Sequence, residues 1–480
     1  MSLKKNFAYN SILTVSTYLF PLLVYPYVSR TLGLSNIGIV NFVDSLVNYF
    51  VFFSMMGIMT VGVRETAAAR NDNSRLSQTF MSLLTLTGIT TLTAIAVLWI
   101  AMYTVPTLVP YRDLLYVGII KLVFNLFLME WFFTGMEDFK YITNRSIIIK
   151  CIYVASVFIF VRNPSDYKTY YVLSVLMVAA NAIVNILYSR TIVSYSFRQI
   201  DFRPFVKAFF IMGVYMLLTN VYTYLNPVWL GFVTGTDEVG YFTTATKLHT
   251  IIMAVLLSFT NILFPRVSYL LAEGKKEEFW DKITISFDAI FLFAFPTIVF
   301  LVTIGPDLLH LIVGDGFEGS YTPLRIISPL VLIIGIEQIL IIQILLAMHQ
   351  DTTVLYNSFI GALVAIVLNV LVTSQLGASG SAIVWLVAES VILILSAWSV
   401  FKKYKYVMPY RRAGLYCISY TPLLLVIMVV YQAMGSGLGT MAVISALVIG
   451  YAAVNEIFVM KNKVTNILYD TVITHFHHSK

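Results

Sequence analysis

Long apolar runs decide what this chain can become. From residue 7 onward, stretches of 20 or more mostly apolar residues follow one another, separated by short segments of charge, Gly and Pro. A helix needs about 20 such residues to cross the hydrocarbon of a bilayer. The runs fall at 7–30, 35–63, 77–104, 111–135, 141–161, 168–193, 205–231, 237–264, 283–304, 323–348, 353–376, 380–401, 413–434 and 438–460. They are far longer than the roughly ten residues of a membrane barrel strand, and lipid offers no partners to open backbone groups. The expected fold is therefore an all-α polytopic membrane protein of about 14 transmembrane helices. Composition agrees: 59% of the 480 residues are hydrophobic and 11% charged, where soluble domains average about 45–50% and about 25%.

The net charge of +7 does not point to nucleic acid, because the basic residues sit in short loops and set topology. With the N-terminus inside, twenty-three of the 31 Lys and Arg lie on the inner side and five outside, with Lys121, Lys150 and Lys247 within spans. That asymmetry predicts both termini cytoplasmic. Cys151 and Cys417 fall in spans and read as packing residues. The first run, preceded by Lys4 and Lys5, is too long for a signal peptide and is expected to be a retained span.

An internal repeat is visible. A shift of 202 residues places Gly33 on Gly235, Gly38 on Gly240, Leu46 on Leu248 and Arg64 on Arg266. It preserves the order of a glycine turn, a helix start and an arginine at the inner helix end. Six spans per repeat give the copies equal orientation, an arrangement used by transporters. The expected organisation is two pseudo-symmetric six-helix bundles, 1–195 and 196–405, with two added helices and a cytoplasmic tail in 406–480.

Charges inside spans are functional candidates, since each costs roughly 2.5–3.5 kcal/mol at the bilayer centre. Lys247 lies about 15 Å into its span at 1.5 Å per residue, on a polar stripe of Gly240, Thr243, Thr244 and Thr250. The equivalent stripe on the second span carries Asn41, Asp44 and Asn48. Two such faces suggest a shared aqueous cavity, with Lys247 either facing a ligand or paired with Asp44. Lys121 is a second cavity candidate. Glu130, nine residues on, faces the opposite way if the helix is continuous, and suits a pair between helices. Arg64 and Arg266 mark inner helix ends, as topology signals or as phosphate contacts; Arg30 lies on the outer side. Tyr18, Tyr25 and Tyr222 are candidates to stack on sugar rings, against the alternative of interfacial belts. Glu130, Asp288, Glu337 and Glu389 are candidate coupling acids for H+ or Na+. No P-loop, zinc or acyl-transfer motif occurs, so neither enzyme activity nor a cofactor is expected. The stretch 305–322, with Asp307, His310, Asp315 and Glu318, is where an enzyme would have to keep its site.

Several segments resemble one family. TLGLSNIGIVNF (31–42) with VGVRETAA (61–68), FTGMEDFKYI (133–142), EVGYFTTATKL (238–248) with LFPRVS (263–268), LLAMHQD (345–351) and LGASGSAIVWLVAES (376–390) look like the Wzx-type polysaccharide flippases. These belong to the multidrug/oligosaccharidyl-lipid/polysaccharide exporter superfamily. The resemblance implies a V-shaped pair of six-helix bundles and a cavity lined largely by spans 1, 2, 7 and 8. Arg30, Arg64, Lys247 and Arg266 are then candidate cavity cations. It implies alternating-access transport of undecaprenyl-diphosphate-linked oligosaccharide units from the inner to the outer leaflet of a bacterial inner membrane. Implied partners are the lipid-linked substrate, membrane lipids, a polysaccharide polymerase and chain-length proteins. Competing readings are a multidrug cation antiporter of the same superfamily, a membrane polysaccharide polymerase, and a structural partner of a surface-polymer assembly. The intramembrane lysines disfavour the antiporter, and the short outer loops disfavour the polymerase.

Overall fold

In the computed structural model the backbone is described for residues 3–196, 200–219, 221–462 and 465; within its helices the side chains of 3, 4, 7, 215, 217–219, 221–224 and 257–266 are not. Every regular element among the described residues is helical. Among the described residues, eleven stretches are long and apolar enough to cross a membrane. Two of these are double-length and bend, at Gly33 and at Gly377. With the helices on either side of Asn220, which lies outside the description, all fourteen expected spans fall on helix.

The chain divides into two compact units, residues 1–240 and 241–480. The first contains α1 (Leu3–Met55), α2 (Ile58–Ala69), α3 (Asn73–Thr104), α4 (Arg112–Leu126), α5 (Glu130–Gly135), α6 (Phe139–Phe160), α7 (Tyr167–Ser189), α8 (Arg203–Thr219) and α9 (Val221–Val233). It also holds the start of α10 (Thr236–Ala272). α1 contains two spans because Gly33, at φ 76° and ψ 170°, adopts a conformation essentially reserved for glycine. Gly235, its partner under the 202-residue shift, also has positive φ, 106°. Gly38 and Gly240 meet each other: a Cβ on Gly38 would lie 2.0 Å from the Thr236 carbonyl oxygen, and one on Gly240 would lie 3.4 Å from the Gly38 Cα. Small residues let helix backbones approach closely where lipid supplies no hydrophobic drive.

α3 starts where Asp72 accepts hydrogen bonds from the Ser74 and Arg75 amides, an N-cap. The core of α2, α3, α5 and α8 is aromatic: Phe80, Trp131, Phe132, Phe133 and Phe209 are all buried. Where α3 gives way to α4, Arg112 lies over the Tyr103 ring and the Tyr103 and Tyr116 hydroxyls bond at 2.6 Å, beside Trp99. Such amphipathic clusters suit a membrane–water interface.

The second unit holds the rest of α10 with α11 (Lys276–Thr303), α12 (Gly305–Val313), α13 (Tyr321–Ile327), α14 (Leu330–Glu337), α15 (Asp351–Leu368), α16 (Ser374–Tyr404), α17 (Tyr410–Met434) and α18 (Leu438–Val454). Wider π-helical turns follow α14 at Gln338–Leu346, α15 at Asn369–Thr373 and α18 at Asn455–Val459. Half of stretch 305–322 folds as α12; His310 within that helix and Asp315 and Glu318 beyond it are exposed, with ligand-type atoms within 4.8 Å of one another. Large apolar side chains face outward along α17 and α18, among them Ile418, Leu438 and Ile449, each about 70% exposed. A soluble fold could not leave such a face uncovered.

Candidate functional site

In the first unit the strongest polar feature within the spans joins α1 to α4. Asp44 and Asn48 lie one turn apart on α1. Lys121 Nζ donates to Asp44 Oδ1 at 2.6 Å and to Asn48 Oδ1 at 2.8 Å, and Asn48 Nδ2 donates to Asp44 Oδ2 at 2.9 Å. Gly118, one turn before Lys121, makes the approach possible: a Cβ there would sit 2.4 Å from Val47 Cγ2 and 3.3 Å from the Tyr171 hydroxyl. Lys121 is 13% exposed and Asp44 34%. The ammonium is held firmly, while the carboxylate keeps an accessible side.

Tyr153 of α6 and Tyr170 and Tyr171 of α7 lie within electrostatic reach of Asp44, and the Tyr153 and Tyr170 hydroxyls bond to each other. None of these three tyrosines stands out in the sequence. Their signal is weak, because Tyr is common throughout a chain with 30 of them. Asp44 is engaged by Lys121, which reaches it because α4 packs on α1 through Gly118.

The other candidates have distinct placements. Lys247 is half-buried on α10; Thr243 and Thr244 of its stripe are buried and Thr250 is exposed. Asn41 is half-buried on α1, Arg30 is exposed, Tyr18 is half-buried and Tyr25 buried. Arg64 is exposed and pairs with its chain neighbour Glu65 at 2.9 Å. The side chains of Tyr222 and Arg266 lie outside the described residues.

Glu130 does not share a continuous helix with Lys121. The chain breaks after Leu126, and Met129 adopts φ 46° before α5 begins. Glu130 accepts from Arg145 of α6 at 3.3 Å, the pair between helices that was expected. Arg145, 3% exposed, also donates to the Asn185 side chain, whose amide donates to the Leu128 carbonyl. This network closes the helix break.

In the second unit Asp288, 1% exposed, meets Arg412 Nη1 at 2.7 Å. Asn462 Nδ2 donates to the Asp288 carbonyl and to Tyr416 Oη, each at 2.9 Å, and Tyr416 donates to Glu456 Oε2 at 2.6 Å. α11, α17 and the end of α18 are thereby tied together. Glu337 and Glu389 are brought together. Glu337, 4% exposed, ends α14, and its carboxyl shares a hydrogen bond with that of Glu389 on α16. Trp385 Nε1 donates to Glu389 Oε1 at 3.1 Å. His249 of α10 packs edge-on against Trp385, with ring centroids 5.3 Å apart.

Long apolar helices with ion pairs and carboxyls placed inside their spans define a multi-pass membrane protein. Its fold matches "Lipid II flippase MurJ, inward closed conformation" with a TM-score of 0.77 at 14% identity, over 93% of this chain and 98% of that one. A multidrug resistance MATE family transporter of the MOP superfamily matches with a TM-score of 0.59 at 14% identity, over 81% and 96%. Residues 3–271 match the family described as "Polysaccharide biosynthesis protein", and the chain belongs to that family. The "Putative O-antigen transporter" of Escherichia coli (strain K12) is 25% identical over 407 residues, 82% of this chain and 96% of that protein. A protein of the same description from Shigella dysenteriae is 24% identical over 404 residues, 82% and 98%. The family expected from the motifs is borne out.

Proposed function

We propose that the chain is a flippase for lipid-linked oligosaccharides, moving undecaprenyl-diphosphate-linked repeat units from the inner to the outer leaflet of a bacterial inner membrane by alternating access. The observation that carries this reading is the Lys121–Asp44–Asn48 network among tyrosine hydroxyls, inside spans of a polysaccharide-biosynthesis protein with a lipid-flippase fold. A diphosphate bearing a glycan cannot cross about 30 Å of hydrocarbon unaided. Lysine offers such a ligand a mobile point charge without the fixed fork of arginine. Lys121 and Lys247 serve as the intramembrane cations, Asn41, Asn48 and the tyrosines as polar and stacking contacts, and Arg30, Arg64 and Arg266 as headgroup contacts at the span ends. The prenyl tail stays in bilayer. The two copies of the 202-residue repeat move against each other to expose the site alternately.

The test is reconstitution of the full chain in sealed vesicles with a fluorescent undecaprenyl-diphosphate oligosaccharide, following its access to a lectin on one side. Protein-dependent equilibration across the bilayer is the expected result. Export of cationic drugs with no movement of the lipid-linked sugar overturns the reading in favour of a multidrug antiporter.

A further inference from the structure

We propose that Glu337 and Glu389 form a proton-binding site in the second unit, holding one exchangeable proton between two carboxyls, and that transport is driven through it. The transport half rests on the flippase reading above; the binding half does not.

Two carboxylates repel at contact distance, and a hydrogen bond between two carboxyl groups requires one of them to carry a proton. Glu337 and Glu389 are in that arrangement across α14 and α16. Trp385 steadies the Glu389 end by donating to Oε1. The Glu337 end is incomplete: Oε1 is buried and has no hydrogen-bond partner among the described residues. Both ring nitrogens of His249, which is 1% exposed and lies behind Trp385, are in the same position. Each unsatisfied buried polar atom costs stability and calls for an explanation, and an exchangeable proton between the carboxyls supplies one.

The backbone around the pair is also unusual. Glu337 is the last residue before the π-helical turns Gln338–Leu346, a form concentrated at functional sites and able to adjust its winding. Several charged groups on the packed elements are engaged elsewhere. Asp288 of α11 is paired with Arg412, Arg325 of α13 donates to the Val302 carbonyl, and Lys403 at the end of α16 donates to Gln350 and to Thr353 at the start of α15. Among the described residues, the ionisable group acting on each glutamate is the other glutamate.

The cycle needs no covalent step. Loss of the proton to one side leaves two carboxylates whose repulsion drives α14 away from α16. Uptake of a proton from the other side restores the hydrogen bond and the close packing. One proton crosses per cycle.

The experiment has two readouts on the full-length protein. Infrared spectra of the purified chain are recorded across a pH series for wild type, Glu337→Gln and Glu389→Gln. Each glutamine keeps the shape and a hydrogen bond to the remaining carboxylate, and thermal unfolding verifies that each variant is folded. A protonated-carboxyl band present at neutral pH in wild type, titrating away at alkaline pH and missing from both variants, is expected. Absence of any wild-type-minus-variant band, or a band that does not titrate while the protein remains folded, overturns the exchangeable site.

The second readout is flipping in vesicles under an imposed gradient. One pH unit, equivalent to 1.36 kcal/mol, skews the final distribution of the lipid-linked probe by up to about tenfold for one coupled proton. Both variants reduce that skew to none. A skew driven by a Na+ gradient instead, or a proton-driven skew surviving in both variants, overturns the coupling assignment. If wild type moves no lipid-linked sugar under any gradient, the flippase reading falls, and the infrared series alone decides whether the pair binds a proton.

Discussion

At the scale of single residues, the lysine buried against Asp44 and Asn48 is the main energetic commitment of the first unit. Lys121→Met leaves Asp44 without its cation inside the membrane, and is expected to lower stability by roughly 1–2 kcal/mol, the range for polar contacts between membrane helices. Adding Asp44→Asn restores most of that loss, because the network is then neutral on both sides. Thermal unfolding in detergent of the two single variants and the double variant measures the coupling; strict additivity contradicts the pairing. Gly118→Leu reaches the same contact from the backbone by pushing α4 off Val47. Gly33→Ala meets no neighbouring atom but incurs conformational strain of order 1–3 kcal/mol. The polar residues themselves were legible in the sequence, since Lys121, Asp44 and Asn48 stand out against apolar surroundings. Which of them pair was not. Pairing depends on how closely α1 and α4 pack, which the small residue at 118 sets only once the helices are docked. His249 shows the same limit: it lies two residues after Lys247, and only the approach of Trp385 gives it a setting.

At the scale of elements, the spans were readable because lipid permits long apolar helices and little else, and the turn glycines were readable from their repeat spacing. The interruptions were not. Nothing in Leu126–Glu130 but its tertiary setting, with Asn185 capturing the Leu128 carbonyl, makes Met129 adopt φ 46°. That break invalidates the rotation argument placing Lys121 and Glu130 on opposite faces, although the Glu130–Arg145 pair stands. The π-helical turns after α14, α15 and α18 are likewise invisible in hydropathy. The Asp288–Arg412 pair fastens α17 to α11, so Arg412→Met is expected to cost roughly 3–5 kcal/mol by stranding a buried carboxylate. Asp288→Asn combined with Arg412→Met recovers most of it. Limited proteolysis in the 405–409 connection reads this directly: the single variant is cut faster than wild type and the double variant is not.

At the scale of the whole molecule, charge asymmetry between loops predicts which face is cytoplasmic. After replacement of Cys151 and Cys417 by Ser, a cysteine placed at Lys405 is expected to resist an impermeant thiol reagent added outside intact cells, and one at Gly435 to react. Labelling at Lys405 alone inverts the topology. In the proposed function, cations inside the spans carry a lipid-linked diphosphate across the membrane. The most direct measurement is the flipping rate in sealed vesicles for wild type, Lys247→Ala and Lys247→Arg at matched protein content. Lys247→Ala is expected to slow flipping by about tenfold, the equivalent of 1.4 kcal/mol, and Lys247→Arg to retain most of the rate. Flipping by Lys247→Ala at the wild-type rate contradicts that role for the cation.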